Sequence, residues 1–145
     1  LIDESVLLTG DGLFTESLAR PDLEAGDAGA EDAARLLYAS LHETILTLPD
    51  DVVVAGGHYS DAAEPSADGT YSASIGELEE RMPALSMDED DFVDLILSDM
   101  PPRPSNYQTI IATNLGTEDV PDEMAFQLEL GPNNCATSTD ALTAE

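Results

Sequence analysis

The chain has 145 residues, the size of one domain, and is 42% hydrophobic with 5% aromatic residues and no Trp, so the expected core is one of Leu, Val, Ile and Ala. Thirty-one acidic residues stand against four Arg and no Lys, a formal net charge of −27, which argues against a basic nucleic-acid-binding face and points to an acidic surface adapted to molar salt. No run approaches the roughly 18 apolar residues of a membrane span, no signal-like leader opens the chain, and the single Cys135 excludes an internal disulfide, so the expectation is a soluble, cytoplasmic protein.

The first element is a buried strand. Ser5-Val6-Leu7-Leu8 is a short apolar run stopped by Gly10, and it delivers Asp11 at its carboxyl end. From Asp11 to Gly29 the residues Gly12, Pro21, Gly26 and Gly29 predict a loop folding back over the end of that strand. Glu31 to Leu48 is the clearest helix: Ala34, Leu37, Leu41, Ile45 and Leu48 mark one face, flanked by Tyr38, and Pro49-Asp50-Asp51 stops it. Val52 to Ala55 then predicts a second buried strand, ending at Gly56-Gly57 and delivering His58. A strand, a helix and a strand in succession return the chain to the same sheet. Asp61 to Thr70 predicts a loop, Ser74 to Arg81 a short helix before Pro83, and Glu89 to Ser98 a third helix with Phe92, Leu95 and Ile96 as its apolar contacts. Ser86 and Asp88 both stand at N-cap positions with acids three residues on. Beyond Thr117 turn residues and acids dominate; Met124 to Leu130 suggests an edge strand, and the rest, with Cys135 as a free thiol, a tail.

Two strands that each end in a glycine turn exposing one hard or borderline ligand make the arrangement a metal centre at a sheet edge requires. The strings Thr9-Gly10-Asp11-Gly12-Leu13-Phe14, Arg20-Pro21-Asp22-Leu23 and Gly56-Gly57-His58 resemble the metallo-β-lactamase superfamily, and within it the branch of persulfide dioxygenases and glyoxalase II-type thioester hydrolases. The connecting pieces agree in order: Leu37 to Glu43 with Leu48-Pro49-Asp50-Asp51, Ile75 to Arg81 with Pro83-Ala84-Leu85, and Pro101-Pro102 with Asn114-Leu115-Gly116. The resemblance thus runs from about Leu1 to Gly116, with 117–145 as an acidic carboxyl-terminal segment. It implies that Asp11 is a metal ligand and that His58 ligates a second metal in a two-metal hydrolase or lies beside the metal in a one-iron dioxygenase. The superfamily's main ligand cluster, His-x-His-x-Asp-His and a further His, would lie upstream of Asp11 and has no counterpart here, where His42 and His58 are the only histidines. A stable site wants three or more protein ligands, so the expectation is the carboxyl-terminal half of a longer protein, not competent alone.

Each singled-out residue has a plainer reading beside the functional one. Gly-Asp-Gly is a common turn, and Gly12 stands where the family often has Thr or Ala; the ordered set of matches favours Asp11 as ligand. Arg20 either meets a substrate carboxylate or pairs with Asp22 to fix its loop. Tyr59 resembles, with an offset of one residue, a Tyr that contacts the thiol substrate in some thioester hydrolases. His42 lies beside the apolar stripe of its helix and takes a structural role, and Arg81 anchors its own helix. The acids Asp88 to Asp91 with Asp94 lack the central Gly and terminal Glu of a calcium loop and mark a helix start.

The resemblance implies an α/β fold, half of an αββα sandwich with a small mixed sheet covered by helices on one face. The other sheet face would be apolar and exposed, calling for a homo-oligomer or the missing amino-terminal half. The expected parent activity is iron-dependent oxidation of a thiol persulfide by O₂, with or without a fused sulfurtransferase domain. A two-zinc thioester hydrolase is the alternative, and a non-catalytic acidic interaction module or nucleic-acid mimic is the reading from another class.

Overall fold

The computed structural model describes residues 1–59, 63–98, 100–104 and 106–128. Strand β1 (Val6–Gly10) leads through helix α1 (Asp22–Ser40) and a π-helical turn (Leu41–Ile45) to strand β2 (Val53–Gly56). Strand β3 (Ser72–Ser74), helix α2 (Ile75–Arg81), a 3₁₀ turn (Pro83–Ser86) and helices α3 (Glu89–Ser98), α4 (Tyr107–Asn114) and α5 (Asp122–Leu128) follow. The sheet order is β1-β2-β3, parallel between β1 and β2 and antiparallel between β2 and β3. It is the small mixed sheet that the resemblance implies.

Alternation decides what each sheet face meets. Leu7, Val54 and Ala73 are in register on one face, where Val54 is fully buried and all three join a core with Ala34 and Leu41 of the α1 segment, Leu78 of α2, and Phe92 and Ile96 of α3. On the opposite face Val6 and Leu8 pair with Val53 and Ala55, and Leu8 is 62% exposed. Helices therefore cover one side of the sheet, and an apolar strip is left on the other.

The long helix keeps its expected face but not its start. It begins at Asp22, nine residues earlier than Glu31, because only Gly26 interrupts it: φ 64° and ψ −176° there break the backbone ladder, and the helix resumes on the far side. It continues as the π-helical turn as far as Ile45, close to the predicted end. Arg35 ties it to α3 through Glu89 and Asp90, and also meets Glu31 one turn away. Helix α2 opens on a capping box: the Glu77 amide donates to Ser74 Oγ at 3.3 Å and the Ser74 amide donates to Glu77 Oε2 at 2.8 Å. The bond from the Ser74 amide holds the Glu77 carboxyl below its usual pKa, with the Ser74 hydroxyl adding to it. Arg81 donates to the Glu77 carbonyl, as expected of a residue anchoring its own helix. Of the two candidate caps before α3, Asp88 takes the role by accepting from the Asp91 amide, and Ser86 ends the 3₁₀ turn.

Met124 to Leu128 correct an expectation: they belong to helix α5 and not to an edge strand, while Leu130 lies outside the described residues. The alternation of Met124, Phe126 and Leu128 suggests a strand, yet Met124 and Phe126 are 50% and 62% exposed, and the Pro121 carbonyl accepts from the amides of Met124 and Ala125 and starts a helical turn. Cys135 and the expected tail beyond 128 also lie outside the described residues. Among the described residues, no helix is long and apolar enough to cross a membrane.

Candidate metal centre

The ends of β1 and β2 build the site. The register slips between Leu8 and Gly10, a bulge at Thr9, and Gly10 takes φ 54°, a conformation that favours glycine. The Thr9 hydroxyl donates to the Leu13 carbonyl at 2.6 Å and the Gly12 amide to the Thr9 carbonyl at 3.0 Å, so the chain turns tightly and lifts Asp11 above the sheet edge. Across the gap, the Gly57 amide donates to the Gly10 carbonyl at 2.6 Å and extends the pairing one step past Gly10 and Gly56.

This stitch brings the two predicted residues together. His58 Nδ1 lies 2.6 Å from Asp11 Oδ1, with the side chains 50% and 45% exposed. A carboxylate only accepts, so the contact is a hydrogen bond when Nδ1 carries the proton. In neutral imidazole that leaves the lone pair on Nε2, at the far side of the ring from Asp11. The contact uses one carboxylate oxygen, Oδ1, of a side chain that is about half exposed.

Arg20 is placed differently. Its side chain is 1% exposed, and it grips Asp22 bidentately through Nε at 2.8 Å and Nη2 at 2.9 Å. The same guanidinium donates to the carbonyls of Pro101 at 2.7 Å and Pro102 at 3.2 Å. Arg103 adds a bond to Asp22 Oδ2 at 2.8 Å and a further one to Asp27. Burial opposes the charge on Asp22, but hydrogen bonds and charge from Arg20, then Arg103, outweigh it and hold the carboxyl below its usual pKa. The geometry of Arg20 is that of the pair fixing the loop after Asp11. Pro101, Pro102 and Arg103, which complete the cluster, lie 76 to 82 residues downstream of their partners, beyond the reach of any local motif.

Tyr59 is 60% exposed and stacks on Tyr71, with centroids 3.7 Å apart and rings 3° from parallel. The stack joins the residue after His58 to the residue before β3, and no motif singles out Tyr71. His42 rests on the Tyr38 ring at 4.0 Å, and its buried Nε2 has no hydrogen-bond partner among the described residues. Among the described residues no group of three or more His, Cys, Asp or Glu is gathered to hold a metal. Asp11 and His58 are two donors at most, fewer than the three protein ligands that a zinc or iron centre wants, so they fit part of a site and do not close one.

No family model matches the sequence. Over 115 residues it is 27% identical to the mitochondrial persulfide dioxygenase ETHE1 of Homo sapiens and 25% identical to that of Mus musculus, covering 79% of this chain and 40% of each relative. An uncharacterised protein of Mycobacterium leprae is 43% identical over 56 residues, 39% of this chain and 23% of that protein. Among solved structures, a metallo-beta-lactamase of Staphylococcus aureus superposes with a TM-score of 0.65 at 24% identity, over 81% of this chain and 33% of that one. ETHE1 of Myxococcus xanthus superposes with a TM-score of 0.60 at 26% identity, over 79% and 46%. The chain has part of the metallo-β-lactamase fold, resembles persulfide dioxygenases at low identity, and spans 40% of the length of the two persulfide dioxygenase sequences.

Proposed function

We propose that this chain is the carboxyl-terminal portion of a persulfide dioxygenase, in which Asp11 supplies one carboxylate ligand to a single iron and His58 orients that carboxylate from beside the metal. The observation that carries this reading is the pairing of His58 Nδ1 with Asp11 Oδ1 at 2.6 Å. In this reading His58 acts through Asp11, which its Nδ1 meets, and not as a ligand itself. The paired arrangement is that of a ligand held by an outer hydrogen bond, which fixes its orientation. What favours one iron over two metals is the similarity to persulfide dioxygenases, since the pairing leaves Nε2 free in either case.

The remaining ligands, on this proposal, come from a part of the fold outside the chain, and that part packs on the sheet face carrying Val6, Leu8, Val53 and Ala55. The whole-protein reaction is RSSH + O₂ + H₂O → RSH + sulfite + 2 H⁺, in which the outer sulfur is oxidised, O₂ is reduced and the thiol carrier is regenerated. Iron supplies the open positions where sulfur and O₂ meet when it is bound. Tyr59, exposed beside His58 and held by Tyr71, is the residue proposed to contact the thiol carrier. Oxygen-electrode measurements on the iron-loaded gene product that carries this chain test the proposal. Persulfide-dependent O₂ uptake with sulfite formation is the expected result; thioester cleavage with no O₂ uptake would replace it with the two-metal hydrolase.

A further inference from the structure

We infer that Gly57 is a positioning residue for the Asp11–His58 pair: its missing side chain leaves the space into which the Asp11 carboxylate turns to meet His58 Nδ1. The inference rests on the reading of Asp11 and His58 as the site and adds a residue to it.

A Cβ built on Gly57 would stand 2.9 Å from Asp11 Oδ1, the same oxygen that meets His58, and 3.2 and 3.3 Å from the carbonyl carbon and Cα of Gly10. At 2.9 Å something must shift. The Gly10 backbone is held by the bond from the Gly57 amide to its carbonyl at 2.6 Å. The Asp11 carboxylate is the end of a rotatable side chain that is 45% exposed, so it is the group that gives way. Gly57 does not occupy the left-handed region, unlike Gly10, so alanine is compatible with its backbone and the contact with Asp11 is what a methyl group meets first. The glycine before His58 thus serves the acid on the neighbouring strand. With the carboxylate turned inward, Nδ1 keeps the proton and the carboxylate keeps one fixed orientation; with it turned out, both are lost.

The test is the tautomer of His58, read from long-range ¹H–¹⁵N spectra of the labelled chain at a pH where the ring is neutral, in molar KCl. The wild type is expected to show a protonated Nδ1. Gly57→Ala, with its backbone spectrum still that of the folded chain, is expected to revert to the Nε2–H tautomer that free imidazole side chains favour, as Asp11→Ala does. A folded Gly57→Ala that keeps the protonated Nδ1 overturns the proposal, as does a wild type that lacks it. Should Gly57→Ala fail to fold, the double variant Gly57→Ala/Asp11→Ala decides: recovered folding supports a clash with the carboxylate, and no recovery assigns the clash to the Gly10 backbone and overturns it. Co²⁺ binding to the gene product that carries this chain is measured separately, with an affinity loss in Gly57→Ala of about 10- to 100-fold expected of an outer-shell change. Absence of Co²⁺ binding in the wild type would count against the metal reading and leave the tautomer result standing.

Discussion

The Arg20–Asp22 and Asp11–His58 pairs each join an acid to a nitrogen base, and both acids lie between β1 and the first turn of α1. The first is closed: Asp22 is 6% exposed, both its oxygens accept from guanidinium groups, and Arg20 also meets two proline carbonyls. The second is open: each side chain is about half exposed, and the contact engages one atom of each, Oδ1 and Nδ1. Closed pairs of this kind hold loops, and an open one holds a polar atom ready for something else. Arg20, whose motif suggests a substrate carboxylate as readily as a structural acid, is in the closed pair.

Breaking the closed pair has the largest expected effect. Asp22→Ala leaves the buried Arg20 guanidinium without its acid, and removing one partner of a buried pair costs about 3–5 kcal/mol; urea denaturation checks this, and a loss below about 1 kcal/mol would show that the pair does not hold the fold. Acid tests the same pair more gently. Because burial is outweighed by the two arginines and the folded-state pKa of Asp22 is depressed, its contribution is fully present above the unfolded value of about 3.9 and is lost as pH falls through the folded one. The stability gap between wild type and Asp22→Asn should therefore be flat above about pH 5 and close below about pH 4. A gap that persists to the acid limit would assign the loss to packing.

A calibrating loss of intermediate size comes from Ser74→Ala, which removes the cap of α2 and should cost about 1 kcal/mol whatever metal is present. Equal urea midpoints for the variant and the wild type would show that the capping box contributes nothing. The open pair should barely register on stability. Asp11→Ala is expected to move Tm by less than about 4 °C, as exposed substitutions do, while metal binding by the gene product is abolished. A Tm drop as large as that of Asp22→Ala would make Asp11 a second structural acid.

What was legible in the sequence follows from how local each feature is. The strand, helix and strand from Val6 to Gly56 are visible because short β-branched runs end at glycines and the helix between them keeps one apolar face from Ala34 to Ile45. The same punctuation places Asp11 and His58 at neighbouring strand ends. Strand β3 is hidden because Ser72-Ala73-Ser74 is short and polar and exists by pairing with β2. Helix α4 carries no clear apolar face and none of its residues is buried, so periodicity does not mark it. The start of α1 is masked by Pro21 and Gly26, which read as loop residues although the helix resumes past one broken residue. The Ser74-x-x-Glu77 box is a local pattern and legible, and it starts α2 where the sequence places that helix. Arg20 cannot be resolved between its two roles from sequence because Pro101, Pro102 and Arg103 are remote from it along the chain.

That Asp11 binds a metal and His58 holds Asp11 is tested most directly by counting metal ions per chain in three forms of the gene product. One iron per chain is predicted in the wild type, none in Asp11→Ala, and one, bound more weakly, in His58→Ala. Two metals in the wild type, with one of them lost in His58→Ala, would make His58 a ligand and contradict the account.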